Sequence, residues 1–308
     1  MRVAIIGRTE ILLKTAKLLI SKGYSIPLIV TTKEAPEYSE SANFFRDFAD
    51  EINAVYIYSS KLDSHCHDIE SLDVIDIAIS LNYSSIISQK IIDIFPMGVL
   101  NAHGGDLPKY RGNACQAWAI INGEDRIGLC IHSMIGGEVD SGNIIDREYL
   151  NIDVTTKITS VYQWFDGLIP IMFLRSVQKL KKDKNYVLER QSKDSVDALR
   201  CYPRISGDGR IDWNKSNIEI LRLINASNKP YSGAFCFYKD KKIIIWDAKL
   251  LNDNELYLAQ AGQISNINSD GSIVVITGNG KLAINKVEYR DFFGKPSKII
   301  KSIRSRLV

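Results

Sequence analysis

Asn101 and His103 stand two positions apart at the end of an apolar run, and a glycine pair follows at once in "NAHGGDLPKYRG" (residues 101–112). Histidine can take or give a proton near neutral pH. An asparagine amide can donate a hydrogen bond to a developing oxyanion. Gly104 and Gly105 permit close approach of a ligand or another chain segment. A second polar cluster follows in "GLCIHSMIGGEVDSGNII" (128–145), where an apolar run leads into a glycine-rich loop holding Glu138 and Asp140. If the two runs are neighbouring strands, Asp140 arrives beside His103, orients its ring and raises its basicity. No serine or cysteine in the motif stands as an evident nucleophile. The pattern therefore fits acyl transfer by direct attack of a substrate amine, without a metal or an acyl-enzyme. The alternative is a histidine that merely caps a loop.

The elements that must position these residues alternate along the first hundred positions. "RVAIIG", "SIPLIVTT", "NAVYIY", "VIDIAISLN" and "MGVLNAH" read as short buried strands, and "TEILLKTAKLLISKG" and "SANFFRDFADEI" read as helices. Such alternation predicts an α/β, Rossmann-like parallel sheet covered on both faces. Its ligands are expected beyond the carboxyl ends of the strands. Strand period places Asn101 and His103 on one side. Beyond residue 150 the spacing predicts a long helical stretch over 156–183, interrupted near Pro170. From about 205 a helix, "KSNIEILRLINASN", precedes five or so short strands punctuated by "KDKK", "SDGS" and "GNGK", the pattern of a small β-barrel. The predicted layout is a catalytic domain over 1–190, a polar linker over 191–204 and a β-barrel-like domain over 205–308.

Composition bounds the function. The chain has 308 residues, 45% hydrophobic and 24% charged, with a net charge of +3. That is an ordinary globular balance and gives no electrostatic case for nucleic acid as the main partner. No segment approaches the roughly 18 consecutive apolar residues of a membrane span, and the opening "MRVAIIGRTE" suits a first strand better than an export signal. Five scattered cysteines predict free thiols and a cytoplasmic setting. Gly7 invites a dinucleotide reading, but "GRTEIL" lacks the later glycines of that fingerprint. "HCH" (65–67) lacks a second ligand pair at metal spacing and reads as an exposed polar loop.

The stretch "NAHGGDLPKYRGNACQAWAIINGEDRIGLCIHSMIGGEVDSGNII" resembles the core of the formyltransferases that use N10-formyltetrahydrofolate. It carries their Asn-x-His, Leu-Pro-x-x-x-Gly, Asn-Gly-Glu, Gly-x-x-x-His (Gly128 to His132) and Asp-x-Gly signatures, and residues 208–251 are similar to their small C-terminal β-domain. The resemblance implies that Asn101, His103 and Asp140 form the catalytic triad and that no metal takes part. It implies that the folate enters a crevice lined by Tyr83, Ile86, Ile87, Gly137 and Val139. Relatives commonly carry a leucine where Asp106 stands, so Asp106 is either a solvated loop acid or an acceptor contact.

Within this family, the branch that formylates methionyl-tRNA is expected to carry a basic loop after the second strand. The corresponding "TTKEAPEYSESANFFRDFADE" is short and acidic, which disfavours phosphate-rich tRNA. The resemblance then points to a nucleotide-linked deoxyamino sugar as acceptor, with Lys109, Tyr110 and Arg111, and secondarily Arg8 and Thr9, contacting it. Formylation of tRNA, release of formate by hydrolysis, and a non-enzymatic binding or scaffolding role are the alternatives. Exposed edges on a β-domain allow a homodimer.

Overall fold

The computed structural model describes residues 1–34, 41–251 and 255–308. Residues 35–40, in the middle of the acidic stretch, lie outside the described residues. The chain forms two compact units, one of residues 1–112, 128–150 and 163–201, the other of 113–127, 151–162 and 202–308.

The first unit opens with β1 (Arg2–Gly7), α1 (Glu10–Ser21), β2 (Ser25–Thr31), α2 (Ala42–Glu51) and β3 (Val55–Tyr58). The short helix α3 (Cys66–Glu70), β4 (Ile77–Leu81), α4 (Gln89–Asp93) and β5 (Val99–His103) follow. A two-residue strand, β6 (Arg111–Gly112), lies just beyond. α5 (Cys115–Asn122) belongs to the second unit. β7 (Arg126–Ser133), β8 (Ile144–Asn151) and α6 (Ile158–Lys182) come next, and β9 (Arg200–Cys201) pairs with β6.

The sheet order is β3-β2-β1-β4-β5-β7-β8. From β3 to β5 all pairings are parallel, as the continuous apolar strands predict. Strand order reverses between β1 and β4, the place where such sheets leave a crevice. On its other side β5 is paired by β7, which runs antiparallel to it, with Asn101 opposite His132 and His103 opposite Cys130. The end of β7 therefore points away from the carboxyl end of β5. The loop of 134–143 must fold back, and it does so around the Ser133 N–H to Asn143 carbonyl bond of 2.9 Å.

Two expectations change. α6 is a single helix that runs through Pro170 without the expected interruption. Its buried side chains at Val161, Phe165, Ile169, Met172, Phe173 and Val177 follow helical spacing through the proline, so packing outweighs one missing N–H. His65-Cys66-His67 is a helical turn, not a loop: Cys66 is buried and His65 Nδ1 lies 3.0 Å from the Asp68 carboxylate. All five cysteines are free and buried.

In the second unit α7 (Asn217–Ala226) begins with a capping box, Ser216 and Glu219 each satisfying the other's backbone N–H. It is followed by an antiparallel sheet of β10 (Ala234–Tyr238), β11 (Lys241–Leu250), β12 (Ile264–Ile267), β13 (Ile273–Ile276), β14 (Lys281–Tyr289) and β15 (Phe292–Gly294). The order β10-β11-β14-β13-β12 leaves β10 and β12 as edges. Residues 305–308 cover both. Ile264 N–H donates to the Ser305 carbonyl and Leu307 N–H to Gly262, while Val308 and Phe237 exchange both backbone bonds. The barrel closes through this tail. No helix among the described residues is long and apolar enough to cross a membrane.

Deleting residues 305–308 should lower the melting temperature of the full chain and expose two unpaired strand edges. Differential scanning calorimetry and light scattering read both effects, and an unchanged melt would refute the closure.

Candidate active site

β5 delivers Asn101 and His103 to one side of the sheet, and the returning loop brings Asp140 to them. Asp140 Oδ2 lies 3.3 Å from His103 Nδ1, and Oδ1 lies 3.4 Å from His132 Nε2. The Gly112 N–H donates to Oδ2 at 3.0 Å. Asn101 Nδ2 lies 3.3 Å from His132 Nε2. The predicted trio is thus together, with a fourth member. His132, marked in the sequence only as the histidine of the Gly-x-x-x-His strand and given no role there, is buried opposite Asn101 on the neighbouring strand. The signal for it is a polar ring directly after the apolar residues 127–131 of β7.

The electrostatics follow from burial. Desolvation opposes ionisation of Asp140, yet the His103 and His132 rings and the Gly112 N–H outweigh it and hold the carboxyl well below the usual carboxylate range. Burial pushes His103 the other way, below the ordinary imidazole value, against the pull of Asp140 and the Tyr110 carbonyl. Asp140 is therefore ionised, and burial biases His103 toward its neutral form, with the ring hydrogen on Nε2 because the Tyr110 carbonyl can only accept. His103 Nε2 lies 2.6 Å from the Tyr110 carbonyl oxygen. Gly105 packs against both groups: a Cβ there would sit 2.1 Å from that oxygen and 2.6 Å from Nε2.

Three contacts hold the loops. Gln191, in the predicted linker, donates from Nε2 to the carbonyls of Asp140 (2.8 Å) and Gly142 (2.7 Å), and accepts from Arg111 Nη2 at 3.0 Å. It thereby fixes Asp140 in a left-handed backbone conformation, φ +52°. Asp106 is neither a solvated acid nor a free acceptor contact. Its carboxylate pairs with the buried Arg147 guanidinium and accepts from the Tyr149 hydroxyl at 3.1 Å, and Arg147 also holds the Leu107 carbonyl and Glu189. Cys130, beside this pair, has its thiol pushed up to about 12 by burial, which removes it as a nucleophile.

The remaining predicted residues are more dispersed. Tyr83 donates its hydroxyl to the Ser59 carbonyl at 2.6 Å. Ile86 is exposed, whereas Ile87 is buried in the core. Gly137 is exposed and Val139 half-buried. The two loops carrying these residues meet where Gly136 N–H donates to Gln89 Oε1 at 2.8 Å. Lys109 is exposed and Tyr110 buried. Arg8 donates to the Asn82 and Lys33 carbonyls and lines a cavity of about 210 Å³ with Thr32, Tyr58, Ser60 and Ser84. The Thr9 hydroxyl is buried without a partner among the described residues. No group of three or more potential metal ligands occurs among the described residues.

Residues 1–176 match the formyl transferase family model, and residues 205–292 match the formyl transferase C-terminal domain. The chain belongs to the formyl transferase family. This formyl transferase is 35% identical over 175 residues to the bifunctional polymyxin resistance protein ArnA of Wigglesworthia glossinidia brevipalpis, which covers 57% of the chain but 26% of that protein. The chain thus spans about a quarter of that relative's length. It is 28% identical over 294 residues to the methionyl-tRNA formyltransferase of Acetivibrio thermocellus, covering 94% and 92% of the two chains. Among solved structures, WlaRD, a sugar 3N-formyl transferase crystallised with dTDP and 5-N-formyl-THF, superposes with a TM-score of 0.70 at 19% identity, covering 95% and 98%. That likeness supports the two-part fold.

Gln191→Glu removes both donors and sets a carboxylate against two carbonyls, a loss of about 1–3 kcal/mol that thermal or urea unfolding should register. Gly105→Ala should cut formyl transfer at least tenfold, since displacement at a reacting centre is costly. Retention of full activity would show that the contact with His103 is slack.

Proposed function

We propose that this formyl transferase carries the formyl group of N10-formyltetrahydrofolate to the amino group of a nucleotide-linked deoxyamino sugar. The observation that carries the reaction class is the cluster itself: a neutral buried imidazole, an ionised carboxylate at its Nδ1 and an amide donor beside them. The exposed apolar side chains of Ile86 and Ile135, on two loops tied together at Gly136, suit the flat ring of a folate. Tyr83, Ile87, Gly137 and Val139 would complete that crevice, with no metal needed. When bound, the folate supplies an activated formyl group on nitrogen.

The residues then divide the work. Asn101 donates an N–H to the oxygen that gains charge as the acceptor amine adds to the formyl carbon. Neutral His103 takes the proton released by that amine and passes it to the departing nitrogen. Asp140 stabilises the transient imidazolium. In the resting site Nε2 holds its hydrogen toward the Tyr110 carbonyl, so it must leave that carbonyl, with the ring hydrogen on Nδ1 toward Asp140, before it acts as base. Lys109, Tyr110 and Arg111, with Arg8 and Thr9, are the proposed acceptor contacts.

The acidic stretch over 31–51 supports a small acceptor over tRNA. One observation favours the second reading, formylation of methionyl-tRNA. Residues 202–308 hold 17 Lys and Arg against 10 Asp and Glu, so the positive charge concentrates in the C-terminal part. The near-complete overlap with a methionyl-tRNA formyltransferase agrees with it.

A panel of dTDP-, UDP- and GDP-linked amino sugars incubated with the formyl donor should give one product 28 mass units heavier, the replacement of H by CHO. Turnover of charged initiator tRNA with an inert sugar panel would reverse the assignment. On the active acceptor, kcat/KM should rise with pH through a midpoint below 6.5, as His103 loses its proton. Asp140→Asn should lower the rate by about 10²–10⁴ and move that midpoint further down, because the carboxylate that raises the His103 value is gone. An upward move would contradict the assignment of His103 as the base.

A further inference from the structure

His132 lies outside the trio, yet it touches two of its members. Its Nδ1 lies 2.8 Å from the Ser133 carbonyl oxygen. A carbonyl can only accept, so Nδ1 carries the hydrogen. In the neutral ring Nε2 is then a lone pair, and 3.3 Å from it stands Asn101 Nδ2, which can donate. The same Nε2 faces Asp140 Oδ1 at 3.4 Å, which can only accept. The ring cannot satisfy both. Neutral, it takes an N–H from Asn101; protonated, it gives one to Asp140 and leaves Asn101 unheld.

This contact decides which end of the Asn101 amide faces the reacting oxygen. An asparagine side chain turned over presents a carbonyl instead of an amine, and a carbonyl repels an oxyanion. Asn101 has no other side-chain hydrogen bond among the described residues, so His132 alone selects the orientation. His132 is 2% exposed and opposes Asn101 directly across β5 and β7, so the pairing is fixed by sheet register as well as by the bond.

We propose that His132 is a positioning residue for formyl transfer: as a neutral acceptor it locks the Asn101 amide with Nδ2 inward, leaving its second N–H for the oxygen of the formyl group. The inference rests on the reading of the site as a formyl-transfer centre. It names a residue that acts through Asn101, not on the substrate.

The test compares His132→Gln, whose side-chain oxygen can accept near the place of Nε2, with His132→Leu, which cannot accept. His132→Leu should lower kcat about tenfold to a hundredfold, within the range for impaired oxyanion donors, with KM for donor and acceptor unchanged. His132→Gln should recover most of that loss. In an Asn101→Ala background His132→Leu should have no further effect on kcat, because the two residues act as one unit. Side-chain amide NMR of Asn101 should show the wild-type shift in His132→Gln and a changed one in His132→Leu. Equal losses in both variants, a loss confined to KM, or additive effects with Asn101→Ala would overturn the proposal. If the wild-type protein neither transfers formyl nor releases formate from the donor, the functional reading fails. The amide shift still decides whether His132 holds Asn101.

Discussion

The buried carboxylate of Asp140 is the constraint on which the site depends. An ionised group taken out of water is costly unless its lone pairs are met. Here one oxygen accepts the Gly112 N–H, and the two oxygens lie 3.3 Å from His103 Nδ1 and 3.4 Å from His132 Nε2, so a proton gained by either ring is stabilised at once. Each partner is then committed by the carboxylate's position. β5 must present His103 in register with β7, and β6 must bring the Gly112 amide to the same point. The loop after β7 must return on itself, with Asp140 in a strained backbone region held from behind by Gln191. Losing any one of these would leave a charge without compensation, which costs far more than the contact contributes.

The sheet makes this economical. Its five parallel strands are apolar on both faces and supply a rigid platform, while β7 departs from the parallel rule and lays a polar ring next to Asn101. Because that strand ends beside Leu100, the loop of 134–143 has to fold back to bring Asp140 to His103. The support beneath the His103 loop is ionic as well. Arg147 ties Asp106, Leu107 and Glu189 together under the loop that follows His103, so the segment nearest the chemistry is braced by charge and not by apolar packing alone.

What the sequence revealed follows from how local each signal is. The parallel core was legible because each strand announces itself in five or six consecutive residues. Asn101, His103 and Asp140 were legible because glycines flank them and because their types suggest complementary chemistry. His132, Gln191 and the Asp106–Arg147 pair were not, although all four residues are visible in the chain. Their meaning lies in partners 31, 51 and 41 positions away, through contacts that no periodicity encodes. Gln191 was hidden further by its surroundings, a polar segment that reads as linker because its one important side chain is turned inward. Pro170 misled for the opposite reason: a strong local breaker was overruled by the buried stripe around it.

The closing of the β-barrel by residues 305–308 bears on how the protein is made. During synthesis, β10 through β15 emerge before the segment that joins their edges. Until residues 305–308 clear the ribosome, the sheet has every core strand but two open sides, each able to pair with a neighbouring nascent chain. The interval between the emergence of Gly294 and that of residues 305–308 is therefore when this sheet is most exposed to partners of its own kind, and a ribosome that pauses there prolongs it.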